Sequence, residues 1–299
     1  MSTSADDGKR LISVRAEGLA LVLFTACTWG LTWPQTKYLM SLMTPFTARA
    51  TVGIVGTVFA FGVAFARRER IWPPRDQWGR LVVFAMLNYG LFIILTTLSL
   101  VWLKASEAVT ITYTLPVWAT LLAWPMLGER LTWKKVLALV LALAGVALLV
   151  KADTAAATWE KLPAAGEALV AAMLFGLGTV VAKKWPLRLP PSAAVAWQAG
   201  LGTTPVAMLA LLESPNWARM TDWGWGAVAS ISILPMTVSY LAWFRALRMV
   251  PASVAATTVL VSPVVGVIGS AMLLGETFTT SQIAGLVMTL FGVALAARS

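Results

Sequence analysis

Residues 105–150 read ASEAVTITYTLPVWATLLAWPMLGERLTWKKVLALVLALAGVALLV, and residues 252–297 read ASVAATTVLVSPVVGVIGSAMLLGETFTTSQIAGLVMTLFGVALAA. At an offset of 147 the two stretches are identical at 17 of 46 positions, without a gap. Shared Ala, Leu and Val follow from any apolar composition. The landmarks do not. Pro116 meets Pro263, Leu127-Gly128-Glu129 meets Leu274-Gly275-Glu276, Thr132 meets Thr279, and Gly145-Val146 meets Gly292-Val293. At an offset of 146, Gly30 and Lys37 meet Gly176 and Lys183. The chain therefore reads as a polar leading segment, 1–16, followed by two copies of one unit, 17–151 and 152–298.

These units lie in a chain with too little charge to coat a globule in water. Of its 299 residues, 59% are apolar and 12% charged, and the mean hydropathy is +0.78. A soluble domain carries about 25% charged residues. Residues 189–212, 223–244, 249–275 and 277–297 hold no Asp, Glu, Lys or Arg. Each is long enough to cross ~30 Å of hydrocarbon at ~1.5 Å per residue. Hydropathy gives ten spans, near 17–38, 46–66, 80–103, 107–127, 132–150, 164–183, 192–212, 223–246, 252–273 and 280–297. The composition excludes a soluble enzyme, a DNA-binding protein and a secreted disulfide scaffold. There is no His, which removes the commonest general base and metal ligand. The single Cys27 permits no intrachain disulfide. Neither a metal site, a cofactor nor enzyme chemistry is expected, and no cleavable signal precedes the first span.

Basic residues set the sidedness. With the N-terminus in the cytoplasm, 17 of the 23 Lys and Arg fall on the cytoplasmic side, while the acids divide evenly. That is the positive-inside pattern, so the net charge of +10 reports membrane topology and not nucleic-acid binding. Both termini are expected in the cytoplasm. A unit of five spans is odd, so its second copy must enter the bilayer upside down. Inverted repeats holding cargo near the midplane are the architecture of secondary transporters. The expected fold is an all-α membrane protein with ten transmembrane helices in two inverted five-helix repeats around a central cavity.

With their Pro, Gly-Glu and Gly-Val landmarks, the two quoted stretches resemble the repeat of EamA-type transporters in the drug/metabolite transporter superfamily. The resemblance covers nearly the whole chain. It implies a cavity lined by the third, fourth, eighth and ninth helices, with parts of the first and sixth. It also implies peripheral fifth and tenth helices, used in packing or dimer contact. Within the superfamily the chain is most similar to the YddG-like branch of bacterial amino-acid exporters.

Candidate residues follow from the spans that would line the cavity. Trp29 and Trp33 share a face at i, i+4, as do Phe175 and Thr179. Asn88 and Phe92 do so on the third span, with Tyr89 beside them. Tyr113 precedes Pro116, and Ser262 precedes Pro263. Met236, Ser239, Tyr240 and Trp243 gather on the eighth span. Interhelical packing competes with cargo contact for each of them. Pro116 and Pro263 are candidate paired hinges, each freeing the carbonyl four residues back, at Thr112 and Val259. Glu129 and Glu276 read as loop residues at helices capped by Thr132 and Thr279. Lys37, Arg49, Lys104, Lys183 and Arg245 lie near span ends, and no acid stands at the centre of a span. Gly56, Ala60 and Ala64 form a small-residue face suited to packing within the chain or to a homodimer.

The expected function is a secondary transporter exporting neutral and aromatic amino acids or related small metabolites by alternating access. A drug or nucleobase-like cargo is the alternative, and a membrane-embedded enzyme a distant third.

Overall fold

Long apolar runs leave a backbone few ways to satisfy its own polar groups, and the helix is the local one. The computed structural model describes residues 3–128, 132–150, 155–246, 248–250, 255 and 258–297, and among them it is all-helical, with no strand. Glu129, Ala252 and Ser253 fall outside the described residues. The helices are α1 (Thr3–Leu42), α2 (Pro45–Ala66), α3 (Trp78–Ala85), α4 (Leu91–Trp102), α5 (Ala105–Thr112), α6 (Leu115–Leu127) and α7 (Trp133–Val150). They continue as α8 (Ala155–Lys184), α9 (Pro191–Ala210), α10 (Asp222–Ile233), α11 (Ser239–Ala246), α12 (Val261–Leu274) and α13 (Thr280–Ala297).

Among the described residues, five helices are long and apolar enough to cross a membrane: Ala16–Leu42, Pro45–Ala66, Arg75–Trp102, Trp159–Lys184 and Asp222–Trp243. Val261–Leu274 and Thr280–Leu295 are shorter apolar rods. The sequence had led us to expect ten spans. One cause of the difference is local: the fourth expected span breaks at Tyr113 and Thr114 into helices of 8 and 13 residues. The ninth expected span lies partly outside the described residues. Helix α1 runs from Thr3 through the polar leader into the first rod.

Two rods carry the same internal irregularity. A π-helical turn, Met86–Gly90, joins α3 to α4, and another, Leu234–Val238, joins α10 to α11. Such turns disturb the i→i−4 ladder and are frequent at functional sites. In the second, Pro235 supplies the cause, since it has no N–H to give the ladder. Asn88 stands 147 residues earlier, in the first.

The Leu-Gly-Glu motif also acquires a reason. Gly128 and Gly275 are left-handed, with φ of 71° and 66°, and they end α6 and α12. A residue with a Cβ would be strained at either place.

Packing repeats the offset seen in the sequence. Gly30 brings α1 against Ser262, Val265 and Gly266 of α12, while Gly176 brings α8 against Leu115, Trp118 and Ala119 of α6. These are one contact set seen twice, 146 or 147 residues apart. Likewise α7 and α13 meet through Gly145 against Thr289 and Gly292 against Ala142. The fifth and tenth expected spans therefore pack on each other within one chain. The small-residue face is also spent internally: Gly56, Ala60 and Ala64 are buried, with Gly56 against Met236. Trp102, Trp133, Trp159 and Trp223 stand exposed near helix ends, as a belt requires. Trp197 is instead the hub of a ring cluster with Phe61, Trp72 and Trp78.

Candidate functional site

The sequence-derived residues assemble into three touching groups. In the first, the Trp29 indole donates to the Pro235 carbonyl at 3.2 Å. Its ring lies 5.5 Å from Tyr240 and 5.9 Å from Trp243. The hydroxyls of Thr28 and Ser239 are 2.6 Å apart, which ties α1 to α11 beside the rings. In the second group, Trp33 and Tyr113 are buried in one apolar cluster with Leu100 and Ile111, and Phe92 packs against it. Phe92 faces Phe175 at 5.1 Å. Ser262, fully buried, sits beside the Tyr113 hydroxyl without closing a hydrogen bond to it. In the third, the Tyr89 hydroxyl donates to Met236 Sδ at 3.2 Å. These two residues are repeat mates, 147 apart, and they touch each other.

Thr179, Asn88 and the two prolines stand apart from these groups. Thr179 is exposed, and its hydroxyl donates to the Phe175 carbonyl of its own helix, so it does not join the rings. Asn88 turns its Oδ1 against Gly178 of α8. Neither Pro116 nor Pro263 kinks a continuous helix. The backbone breaks just before each, at Tyr113–Thr114 and at Val259–Leu260, and each proline lies in the first turn of the helix that follows.

Buried polar atoms near these rings lack partners. Asn88 Oδ1, Thr112 Oγ1, Thr203 Oγ1, Thr237 Oγ1 and Ser262 Oγ make no hydrogen bond. Each such atom costs ~1–3 kcal/mol. A native interior holds them where water or a ligand completes them.

Arg49 is the residue the sequence reading missed. It is the one charge on α2, four residues past Pro45 at the helix start. The structure buries it to 8% exposure. Its Nε, Nη1 and Nη2 donate to the hydroxyls of Thr97, Thr36 and Thr96 at 3.3, 3.2 and 3.4 Å. Charge-assisted bonds to oxygen run ~2.7–2.9 Å, so these are long. Among the described residues no carboxylate pairs with it. A buried cation left unpaired costs several kcal/mol. The signal available in sequence was its isolation in an otherwise uncharged helix.

Several other charges near these elements have partners, while Glu167 Oε2 on α8 has none. Lys37 donates to the carbonyls of Leu100 and Leu103, the latter at 3.0 Å, where the α4 dipole favours a cation. It does not reach for water as a snorkelling lysine would. Glu276 accepts from the Ala105 and Ser106 N–H groups at 2.7 and 3.2 Å, capping α5 and not its own next helix. Thr279 and Gln282 cap that helix reciprocally. Glu213 accepts from the N–H groups of Phe46 and Thr47 at the start of α2, at 3.1 and 2.7 Å. Glu69 accepts from Ala193 N–H at the start of α9, at 3.1 Å. Glu107, fully buried, binds Lys161 at 2.7 Å and Gln282 at 3.1 Å. Among the described residues no cluster of His, Cys, Asp or Glu could hold a metal.

Membrane-length helices and two halves with matching contacts define a membrane protein built on an internal repeat. A model of the EamA-like transporter family matches residues 16–151 and again 164–298. The chain belongs to that family, within the drug/metabolite transporter superfamily. It is 28% identical over 283 residues to the uncharacterized transporter YvbV of Bacillus subtilis, covering 92% of this chain and 90% of the relative. It is 25% identical to an uncharacterized transporter of Archaeoglobus fulgidus, covering 93% and 98%. It is 22% identical to Protein PecM of Dickeya dadantii, covering 88% and 86%. A solved crystal structure shares the fold over 95% of both chains, with a TM-score of 0.65 and 18% identity.

Proposed function

We propose that this protein is a secondary transporter that exports neutral and aromatic amino acids, or related small metabolites, by alternating access. The observation that carries the reading is the contact between repeat mates Tyr89 and Met236, with orphaned hydroxyls on neighbouring residues. Two equivalent halves that meet at equivalent residues can exchange conformations. An exchange turns an opening on one face into an opening on the other. In this reading the ten spans form two inverted five-helix repeats, and the substrate lies between them in a central cavity. Trp29, Trp33, Phe92, Tyr113, Phe175, Tyr240 and Trp243 contact its apolar part. Asn88, Tyr89, Ser239 and Ser262 offer neutral hydrogen bonds, Met236 supplies a soft surface, and Thr179 joins only in a state that turns it inward. The breaks before Pro116 and Pro263 serve as hinges. Both termini face the cytoplasm of a bacterial inner membrane, as the basic bias requires, and the cargo class is that of the YddG-like exporters.

The test is flux. The purified protein, reconstituted in liposomes loaded with labelled phenylalanine, threonine or methionine, should release label faster than protein-free liposomes and saturably. A second reading, export of cationic drugs, draws on the three-ring group of Trp29, Tyr240 and Trp243, whose faces suit a cation. Flux of a cationic dye with no flux of any amino acid would select it.

A further inference from the structure

We propose that Arg49 is the carboxylate-binding residue of the transport site. This deepens the transport reading above and rests on it: the cargo is amphipathic and carries a carboxylate.

The cation is held but not neutralised. Guanidinium has five N–H groups, and three are spent on threonine hydroxyls. Those hydroxyls cannot neutralise it. Thr96 and Thr97 give their own protons to the Phe92 and Ile93 carbonyls at 2.8 and 2.6 Å, so only lone pairs face Arg49. The arrangement orients a planar fork and leaves its charge available. Lys161 is paired with Glu107, and Lys37 gives its protons to helix-end carbonyls. Glu213 binds close by at Thr47, but its oxygens are taken by the first N–H groups of α2.

Position ties Arg49 to the rings. Thr36 lies three residues beyond Trp33 and seven beyond Trp29 on α1. Thr96 lies four beyond Phe92 and seven beyond Tyr89. Residues so spaced share one helix face, and seven residues rise ~10 Å. Two aromatic stripes, on different helices, thus both end at Arg49. A carboxylate on the guanidinium places the apolar body of a small molecule along Trp33 and Phe92. The counterpart of Arg49 in the second half is Val195, at an offset of 146, so only one end of the site carries the charge.

Matched pairs test this on the full chain in detergent: phenylalanine against phenylalaninamide, and benzoate against benzamide, read by thermal shift and equilibrium binding. Wild type should favour the carboxylate member of each pair. R49Q should weaken that member by about thirtyfold and leave the amide little changed. R49K, a point charge without the fork, should fall between. Should R49Q not fold, R49K and the wild-type preference still decide. A wild type that does not favour either carboxylate, or an R49Q that keeps the full preference, overturns the proposal. Benzoate binding that needs Arg49, without amino-acid flux, supports it and removes the amino-acid reading. Undiminished phenylalanine flux in R49Q does the reverse.

Discussion

Glu213 follows α9 in the chain yet holds the start of α2, and its charge state sets how firmly. Burial pushes this carboxyl up, but hydrogen bonds from Phe46 and Thr47 outweigh burial and hold its pKa below the ordinary 4.5. A depressed carboxyl stabilises the fold above its unfolded pKa and loses that contribution as pH falls through its folded pKa. Wild type should therefore melt higher than E213Q at pH 7, and the gap should close below about pH 4.5. A gap that stays constant from pH 7 to pH 3 contradicts the assignment. Trp29, Tyr113 and Tyr240 were legible in the sequence as candidates, since their type and helical spacing are themselves the signal. Arg49 was not, because Thr36, Thr96 and Thr97 come from two other helices and only folding gathers them. Thr179 misled for a geometric reason. Its side chain stands exposed, and its hydroxyl is spent on the Phe175 carbonyl of its own helix.

Helix contacts in this protein are governed by where Cβ atoms are missing. A Cβ on Gly145 would lie 2.6 Å from the Thr289 nitrogen and 2.7 Å from the Gly285 oxygen. One on Gly292 would lie 2.7 Å from backbone atoms of Ala138 and Ala142. Leucine at either position must push α7 and α13 apart, and each variant should lose ~1–3 kcal/mol, read as a lower melting temperature. Gly62→Ala is the control: nothing lies within 4 Å of its Cβ. It should be neutral or slightly stabilising, because alanine favours the helix by ~1 kcal/mol. Equal losses at all three positions would contradict close packing as the cause. The rods themselves were legible from hydropathy. Their interruptions were less so, because a π turn has no residue signature. Pro235 was a visible clue to one of them, and Asn88 gave none for the other.

For the whole molecule, one relation recurs at the helix crossings: a glycine in one half and its mate about 147 positions away make matching contacts. Gly30 and Gly176 repeat it at helix crossings, Gly145 and Gly292 at the α7–α13 seam, and Gly128 and Gly275 at helix ends. Tyr89 and Met236 meet across it. The duplication was readable from Pro, Gly and Glu landmarks, because those residues answer to backbone geometry and not to hydropathy. How the halves face each other was inferred from the odd number of expected spans, and that inversion is the central claim. Asp76 and Trp223 are exposed mates, 147 apart. With Cys27 replaced by serine, D76C and W223C should each be treated with a membrane-impermeant maleimide on intact cells. The inverted architecture predicts that W223C is labelled from outside and D76C only after the membrane is permeabilised. Labelling of both from the same side would contradict it.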